Sequence, residues 1–146
     1  MKQPIFHLAI PIKNITEAKA FYVNGLGCEV GRETDRAVIL NFYGHQVVAH
    51  VTSEELTPQQ GIYPRHFGMI FPTQEEWEAV WRRATSKALQ FYQNAKHRFP
   101  GELTEHRTFF LQDPFYNLLE FKHYSYPEAI FGGQELTAVG DRYPLK

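Results

Sequence analysis

The feature that most limits what this chain can fold into is a histidine-bearing strand followed by a capped helix, written twice. The first copy reads Phe6-His7-Leu8-Ala9-Ile10-Pro11 and the second Arg65-His66-Phe67-Gly68-Met69-Ile70-Phe71-Pro72. Seven residues beyond each histidine stands a helix-capping residue, Asn14 or Thr73. Three residues beyond each cap stands a glutamate, Glu17 or Glu76. Cap and glutamate at that spacing satisfy the free N–H groups of a first helical turn. A duplicated unit of this kind can bring two imidazoles together at its internal symmetry axis, and this directs attention to a metal site.

The rest of each copy follows the same order. Residues 5–11 read as a short buried strand ended by proline. After the Asn14 cap, Ala18, Phe21, Tyr22 and Leu26 recur at helical spacing and face the core, and Gly25 and Gly27 end the helix. Stretches 28–31, 37–43 and 46–52 have strand character, with turns at Thr34-Asp35 and Gly44. The polar segment 53–64, with prolines at 58 and 64, reads as a linker. A strand at 65–71 then precedes a helix that opens at Thr73 and carries Trp77, Val80, Trp81 and Ala84. Strands at 89–92, 108–111 and 118–123 complete the second copy, and 94–106 reads as a long basic connection. The expected fold class is therefore α+β. Two βαβββ modules, 4–52 and 65–123, form a half-open barrel around a shared metal cleft, with an irregular tail over 124–146, all within one domain spanning 1–146.

Composition excludes several function classes. A net charge of −1 gives no strong attraction to nucleic acid or an anionic membrane. No apolar run approaches the roughly 18 residues that span a bilayer, and the N-terminus has no signal-peptide core. The lone cysteine, Cys28, cannot form an internal disulfide. The expected setting is the cytoplasm and the expected ligand a small molecule.

Strand alternation singles out the candidate ligands. His7 shares its face with Ile5 and Ala9, while Phe6, Leu8 and Ile10 point the other way. His66 shares its face with Gly68, opposite Phe67, Met69 and Phe71. A small residue two positions beyond each histidine suggests room for a metal or substrate. Glu120 lies in an otherwise apolar strand, where a carboxylate needs a cation partner. His50 ends the first module as Glu120 ends the second. Either histidine alone reads more readily as structural than as a ligand; their matching positions favour the metal reading. His45, His97, His106 and His123 have no counterpart in the repeat and read as surface or loop residues.

These features resemble the vicinal oxygen chelate superfamily, which includes glyoxalase I, extradiol dioxygenases, fosfomycin-resistance transferases and bleomycin-binding proteins. The resemblance rests on His7, on Phe21-Tyr22 with Leu26-Gly27, on His66, and on Asp113-Pro114-Phe115-Tyr116-Asn117-Leu118-Leu119-Glu120-Phe121, and it covers roughly residues 4–123. The runs from Gly44 to His50 and from Glu120 to Lys122 are similar to small predicted extradiol-type dioxygenases. The resemblance implies a divalent metal held by His7, His66 and Glu120, with His50 as a possible fourth ligand. It favours Fe(II) and a dioxygenase acting on a small vicinal diol. A glyoxalase-like isomerase or lyase with Ni, Zn or Mn, or a metal-free binding protein, is the alternative. His97, Arg98, His106 and Tyr116 are candidates for acid–base work. A homodimer is expected by analogy, with the ligand set within one chain favoured because both modules carry a ligand pair.

Overall fold

The computed structural model describes residues 2–136 and Val139. The chain forms two four-stranded sheets, one per module. In the first module β1 (His7–Ile12) leads to a helix, α1 (Ile15–Lys19), that widens into a π-helical turn at Ala20–Gly25. Strands β2 (Glu29–Glu33), β3 (Ala37–Phe42) and β4 (His45–Val51) follow. The second module repeats this order as β5 (Phe67–Ile70), α2 (Gln74–Ser86), β6 (Phe91–Arg98), β7 (His106–Gln112) and β8 (Leu118–Tyr124). Strand orders are β1-β4-β3-β2 and β5-β8-β7-β6, so the first strand of each module lies parallel to the last. Neither sheet closes on itself. No helix among the described residues is long and apolar enough to cross a membrane.

Both caps form as their spacing predicts. The Asn14 carboxamide oxygen accepts from the Glu17 N–H at 2.7 Å, and the Thr73 hydroxyl accepts from the Glu76 N–H at 3.1 Å. Ala18, Phe21, Tyr22 and Leu26 are all buried. Pro11 sits inside β1 without penalty, because β1 pairs only with β4 and its outer edge needs no N–H.

Packing joins the two modules through the apolar faces of both sheets. Phe42 meets Phe67 at 5.7 Å between ring centroids, and Tyr43 meets Phe71 at 5.4 Å. The Trp77 indole N–H donates to the Phe121 carbonyl at 2.8 Å, which locks α2 onto β8. Arg83 reaches from α2 to the end of the first helix, donating to the Gly25 carbonyl at 2.8 Å and the Asn24 carbonyl at 3.1 Å. An arginine there both satisfies orphan carbonyls and complements the helix dipole. Cys28 is buried in this core, and burial pushes its thiol up to about 12, so it stays protonated and inert.

Several boundaries shift from the sequence-based expectation, and three differences matter for the second module and the tail. The strand expected at 89–92 is instead β6, Phe91–Arg98, so half of the supposed 94–106 connection is paired sheet. Register shifts between Phe91 and Gln93, and again between Gln93 and Lys96, scramble the alternation that would have revealed it. The strand expected at 65–71 is only Phe67–Ile70, which leaves His66 just outside the ladder. The tail opens with a short 3₁₀ turn, Pro127–Ile130, rather than irregular chain. The remainder of the expected tail at 137–138 and 140–146 lies outside the described residues.

Candidate metal centre

On the face of the second sheet turned away from the core, His66 and Glu120 form a pair. The His66 Nε2 stands 3.2 Å from Glu120 Oε1. Each partner is oriented from behind. His66 Nδ1–H donates to the Ile62 carbonyl at 2.6 Å, and the Thr108 hydroxyl donates to Glu120 Oε2 at 2.5 Å. The Ile62 contact fixes the tautomer and leaves Nε2 for a ligand. Phe110 packs edge-on against the imidazole at 5.0 Å and Tyr63 flanks it at 5.9 Å. Lys122, two residues along β8, holds its ammonium 3.9 Å from the same Glu120 Oε1 and donates to the Tyr124 phenol oxygen at 3.0 Å.

The electrostatics follow from these contacts. The Glu120 hydrogen bond raises the His66 pKa above 6.5, and that effect exceeds the opposing cost of burial. Burial pushes the Glu120 carboxyl up, but the His66 hydrogen bond, the Lys122 charge and the Thr108 hydroxyl together hold it below 4.5. Near neutral pH the carboxylate is therefore ionised and ready to ligate.

The first sheet presents His7 differently. His7 is exposed, with Nδ1 held by Gln46 Oε1 at 2.8 Å. Both repeat histidines thus have Nδ1 engaged by an oxygen atom. Yet the structure does not bring His7 to His66 and Glu120: among the described residues no three His, Cys, Asp or Glu side chains converge as a metal-holding group. The ligand set expected within one chain is not assembled in it.

The registers also revise the place of His50. In the second module Gly68 stands opposite Glu120; in the first, Ala9 stands opposite Val48. The counterpart of Glu120 is therefore Val48, which has no donor atom. His50 stands opposite Pro11, as Lys122 stands opposite Ile70, so His50 corresponds to Lys122. Four residues of β4 separate His50 from Gln46 beside His7, about 13 Å along the strand. The residue beside His7 is Gln46. Sequence alone gave no signal for this, because it was the unpredicted register that made the alignment.

The acid–base candidates scatter. His106 is buried on the same face as Glu120, with Nδ1–H donating to the Thr104 carbonyl at 2.9 Å. Burial lowers its pKa, so it stays neutral. His97 is committed to an ion-pairing contact with Glu105 on the outer surface. Arg98 stacks its guanidinium over Phe99 at 5.4 Å. Tyr116 is exposed in the Asp113–Asn117 turn with a positive φ of 69°. It lines a cavity of about 420 Å³ between β1 and the start of β5, where His66 and Arg65 also reach the wall. Sequence reasoning missed Thr108 and Lys122. Alternation from Glu120 along β8 would have found Lys122, but Thr108 depends on the β7 register.

The pair fits a divalent ion. Two donors about 2.1 Å from one ion in neighbouring positions stand ~3 Å apart, close to the separation seen here. An oriented imidazole and an oriented, ionised carboxylate are also the donor chemistry such an ion takes. The family model described as the Glyoxalase/Bleomycin resistance protein/Dioxygenase superfamily matches residues 5–121. The chain belongs to this superfamily. A glyoxalase/bleomycin resistance protein/dioxygenase from Alicyclobacillus acidocaldarius is 38% identical, over 88% of this chain and 96% of that one, with a TM-score of 0.83. The fold is shared with the fosfomycin resistance protein FosX from Listeria monocytogenes, 17% identical over 88% of this chain and 99% of that one, TM-score 0.69. A putative glyoxalase family protein from Bacillus anthracis, also 17% identical, covers 86% of this chain and 98% of its own, with a TM-score of 0.63. No curated protein matches the chain. The superfamily includes metalloenzymes.

Proposed function

We propose that this superfamily member is a divalent-metal enzyme whose ion chelates two adjacent oxygens of a small substrate. His66 and Glu120 supply two ligands, and the partner subunit's His7 supplies the third in a homodimer. The observation that carries the reading is the His66–Glu120 pair at 3.2 Å with both members oriented from behind. Support for the third ligand is the matching posture of His7, exposed on an open sheet face with Nδ1 already held by Gln46. Two imidazoles, one carboxylate and an inert Val48 in the fourth position make a set that leaves coordination sites open, which suits Fe(II) and extradiol-type oxygenation of a vicinal diol. When bound, the ion would polarise the substrate oxygens and stabilise the charge that develops on them. His66 and Glu120 hold it, Thr108 keeps the carboxylate aligned, and Phe110 and Tyr63 keep water from the imidazole.

Elemental analysis of protein purified anaerobically tests this. Near-stoichiometric iron in the wild type and its loss in Glu120→Gln are expected, together with O₂ uptake on catechols. Nickel, zinc or manganese without O₂ uptake would move the assignment to isomerase or lyase chemistry. A folded wild type that takes up no metal after reconstitution would leave a small-molecule binding protein. The shared site has its own test. Neither His7→Ala nor Glu120→Ala alone binds metal, whereas co-refolded mixtures regain it, because each mixed dimer carries one complete site. No recovery on mixing would return the set to a single chain.

Metal affinity should also depend on pH with a defined sign. A proton and the ion compete for His66 Nε2, and the metal-free His66 titrates above 6.5. Affinity is therefore highest above that raised value and falls as the pH drops through it, one proton being taken up per ion released. Glu120, held below 4.5, adds a second loss only at lower pH. A metal titration across pH that is flat between 8 and 5 would contradict His66 as a ligand.

A further inference from the structure

We propose that Lys122 is the anion-binding residue of this site, and that the substrate carries a carboxylate beside its chelating oxygens. The inference rests on the metal-site reading above and deepens it. Lys122 and Glu120 share one face of β8, and the lysine ammonium approaches the same carboxylate oxygen that faces His66 Nε2. A molecule held at that oxygen and that nitrogen lies within reach of Lys122.

The lysine is held there rather than free in solvent. Its side chain is only 19% exposed. An ammonium has three donors. One goes to Tyr124, and Glu120 at 3.9 Å is beyond hydrogen-bond range. Among the described residues the remaining donors have no hydrogen-bond acceptor. The neighbouring rows of the sheet are basic as well. Lys122 stands opposite Thr108 and Thr108 opposite Lys96, while Tyr124 stands opposite His106 and His106 opposite Arg98. Glu120 is the one carboxylate on these rows among the described residues.

Charge then decides the substrate class. Without metal, Glu120 is the counter-charge of Lys122. Once Glu120 ligates a divalent ion, its charge is drawn toward the ion, and a largely buried ammonium stands beside a second cation. A buried charge in that position needs an anion and hydrogen-bond acceptors. A carboxylate on the substrate supplies both. A diol without that group has its oxygens committed to the ion and brings no second anion to Lys122.

The test compares catechol with 3,4-dihydroxybenzoate, binding each by calorimetry to metal-loaded protein whose metal content is measured first. Wild type should bind the carboxylated diol tighter by on the order of tenfold to a hundredfold, the scale of a charge-assisted hydrogen bond. Lys122→Met should abolish that preference, read as the ratio of the two affinities in protein of measured metal content. Lys122→Arg, which keeps the charge, should retain it. No preference in the wild type, or a preference that survives in Lys122→Met, would overturn the proposal. Should the wild type take up no metal, the function proposed above fails separately. The anion site is then read with benzoate on metal-free Glu120→Gln protein, where Lys122 has lost its counter-charge: binding that disappears when Lys122→Met is added sustains it, and no binding, or binding that survives Lys122→Met, overturns it.

Discussion

Gly68→Ala should destabilise the protein by about 3 kcal/mol or more and abolish metal uptake in whatever fraction still folds, well above the usual cost of one added methyl group. A Cβ at position 68 would lie 1.6 Å from the Glu120 carbonyl oxygen, 2.6 Å from its carbon and 2.9 Å from the Glu120 nitrogen. These are backbone atoms in the middle of β8, so no side-chain rotation relieves the clash. The strands must separate at the rung where Gly68 faces Glu120. β5 has four residues and pairs only with β8, so it has little other hydrogen bonding to hold it. His66 enters β5 two residues earlier, and its 3.2 Å approach to Glu120 depends on that rung. Chemical denaturation and metal analysis of the variant would check both effects. The control is Ala9→Gly, the equivalent position of the first module. It should cost only a few tenths to about 1 kcal/mol, the ordinary penalty of glycine in a strand. A Gly68→Ala protein with wild-type stability and full metal content would contradict this account of the β5–β8 contact.

Asp113→Ala is the second large effect, expected at about 4 kcal/mol and a fall in Tm on the order of 10 °C. Asp113 is 1% exposed, and its carboxyl accepts four hydrogen bonds. Its donors are the Tyr22 hydroxyl at 2.6 Å, the Phe115 and Asn117 N–H groups at 2.8 and 2.9 Å, and the Asn117 carboxamide at 2.7 Å. Alanine would strand buried donors in both modules, since Tyr22 belongs to the first helix and the others to the turn before β8. Each buried donor left without a partner costs about 1–3 kcal/mol. The Asn117 carboxamide also donates to the Pro11 carbonyl at 3.1 Å, so the turn is tied to β1 as well. Tyr22→Phe removes one donor and should cost about 1 kcal/mol, a typical single hydrogen bond. In that background Asp113→Ala should cost less than in the wild type, and a double-mutant cycle measures the difference. Strict additivity would remove the Tyr22–Asp113 bond as the tie between modules. Acid should not break this tie first. Burial raises the Asp113 pKa above 3.8, only partly offset by its donors, so the native state binds the proton more tightly than the unfolded chain. Stability from this group is therefore greatest at low pH and declines as pH rises from 3.8 through the raised value.

Much of this protein could be read before its structure. The Asn14 and Thr73 caps, the buried stripe of Ala18, Phe21, Tyr22 and Leu26, and the doubled βαβββ order all follow from local spacing. Local spacing sets which hydrogen bonds and which burial a short segment can satisfy by itself. Glu120 was legible for the same reason, as a polar residue set into an apolar strand, and His66 as the residue that leads into one. β6 was not, because its bulges break the period of two on which strand reading depends.

What remained was decided by the tertiary structure, through contacts between residues distant in the chain. Ala9 and Gly68 look alike in sequence, as small residues leaving room beside a histidine. Only the β5–β8 approach separates them: at Gly68 the missing Cβ is filled by the Glu120 backbone, not left open for a metal. His50 and Glu120 likewise look like partners in the repeat, until parallel pairing aligns Glu120 with Val48 and His50 with Lys122. A two-residue periodicity tells which face a side chain takes, but the rung it occupies is set by the partner strand. The sequence by itself therefore determined the modules, their faces and the residue types available for chemistry. The pairing registers and the packing of one module on the other decided which of those residues meet.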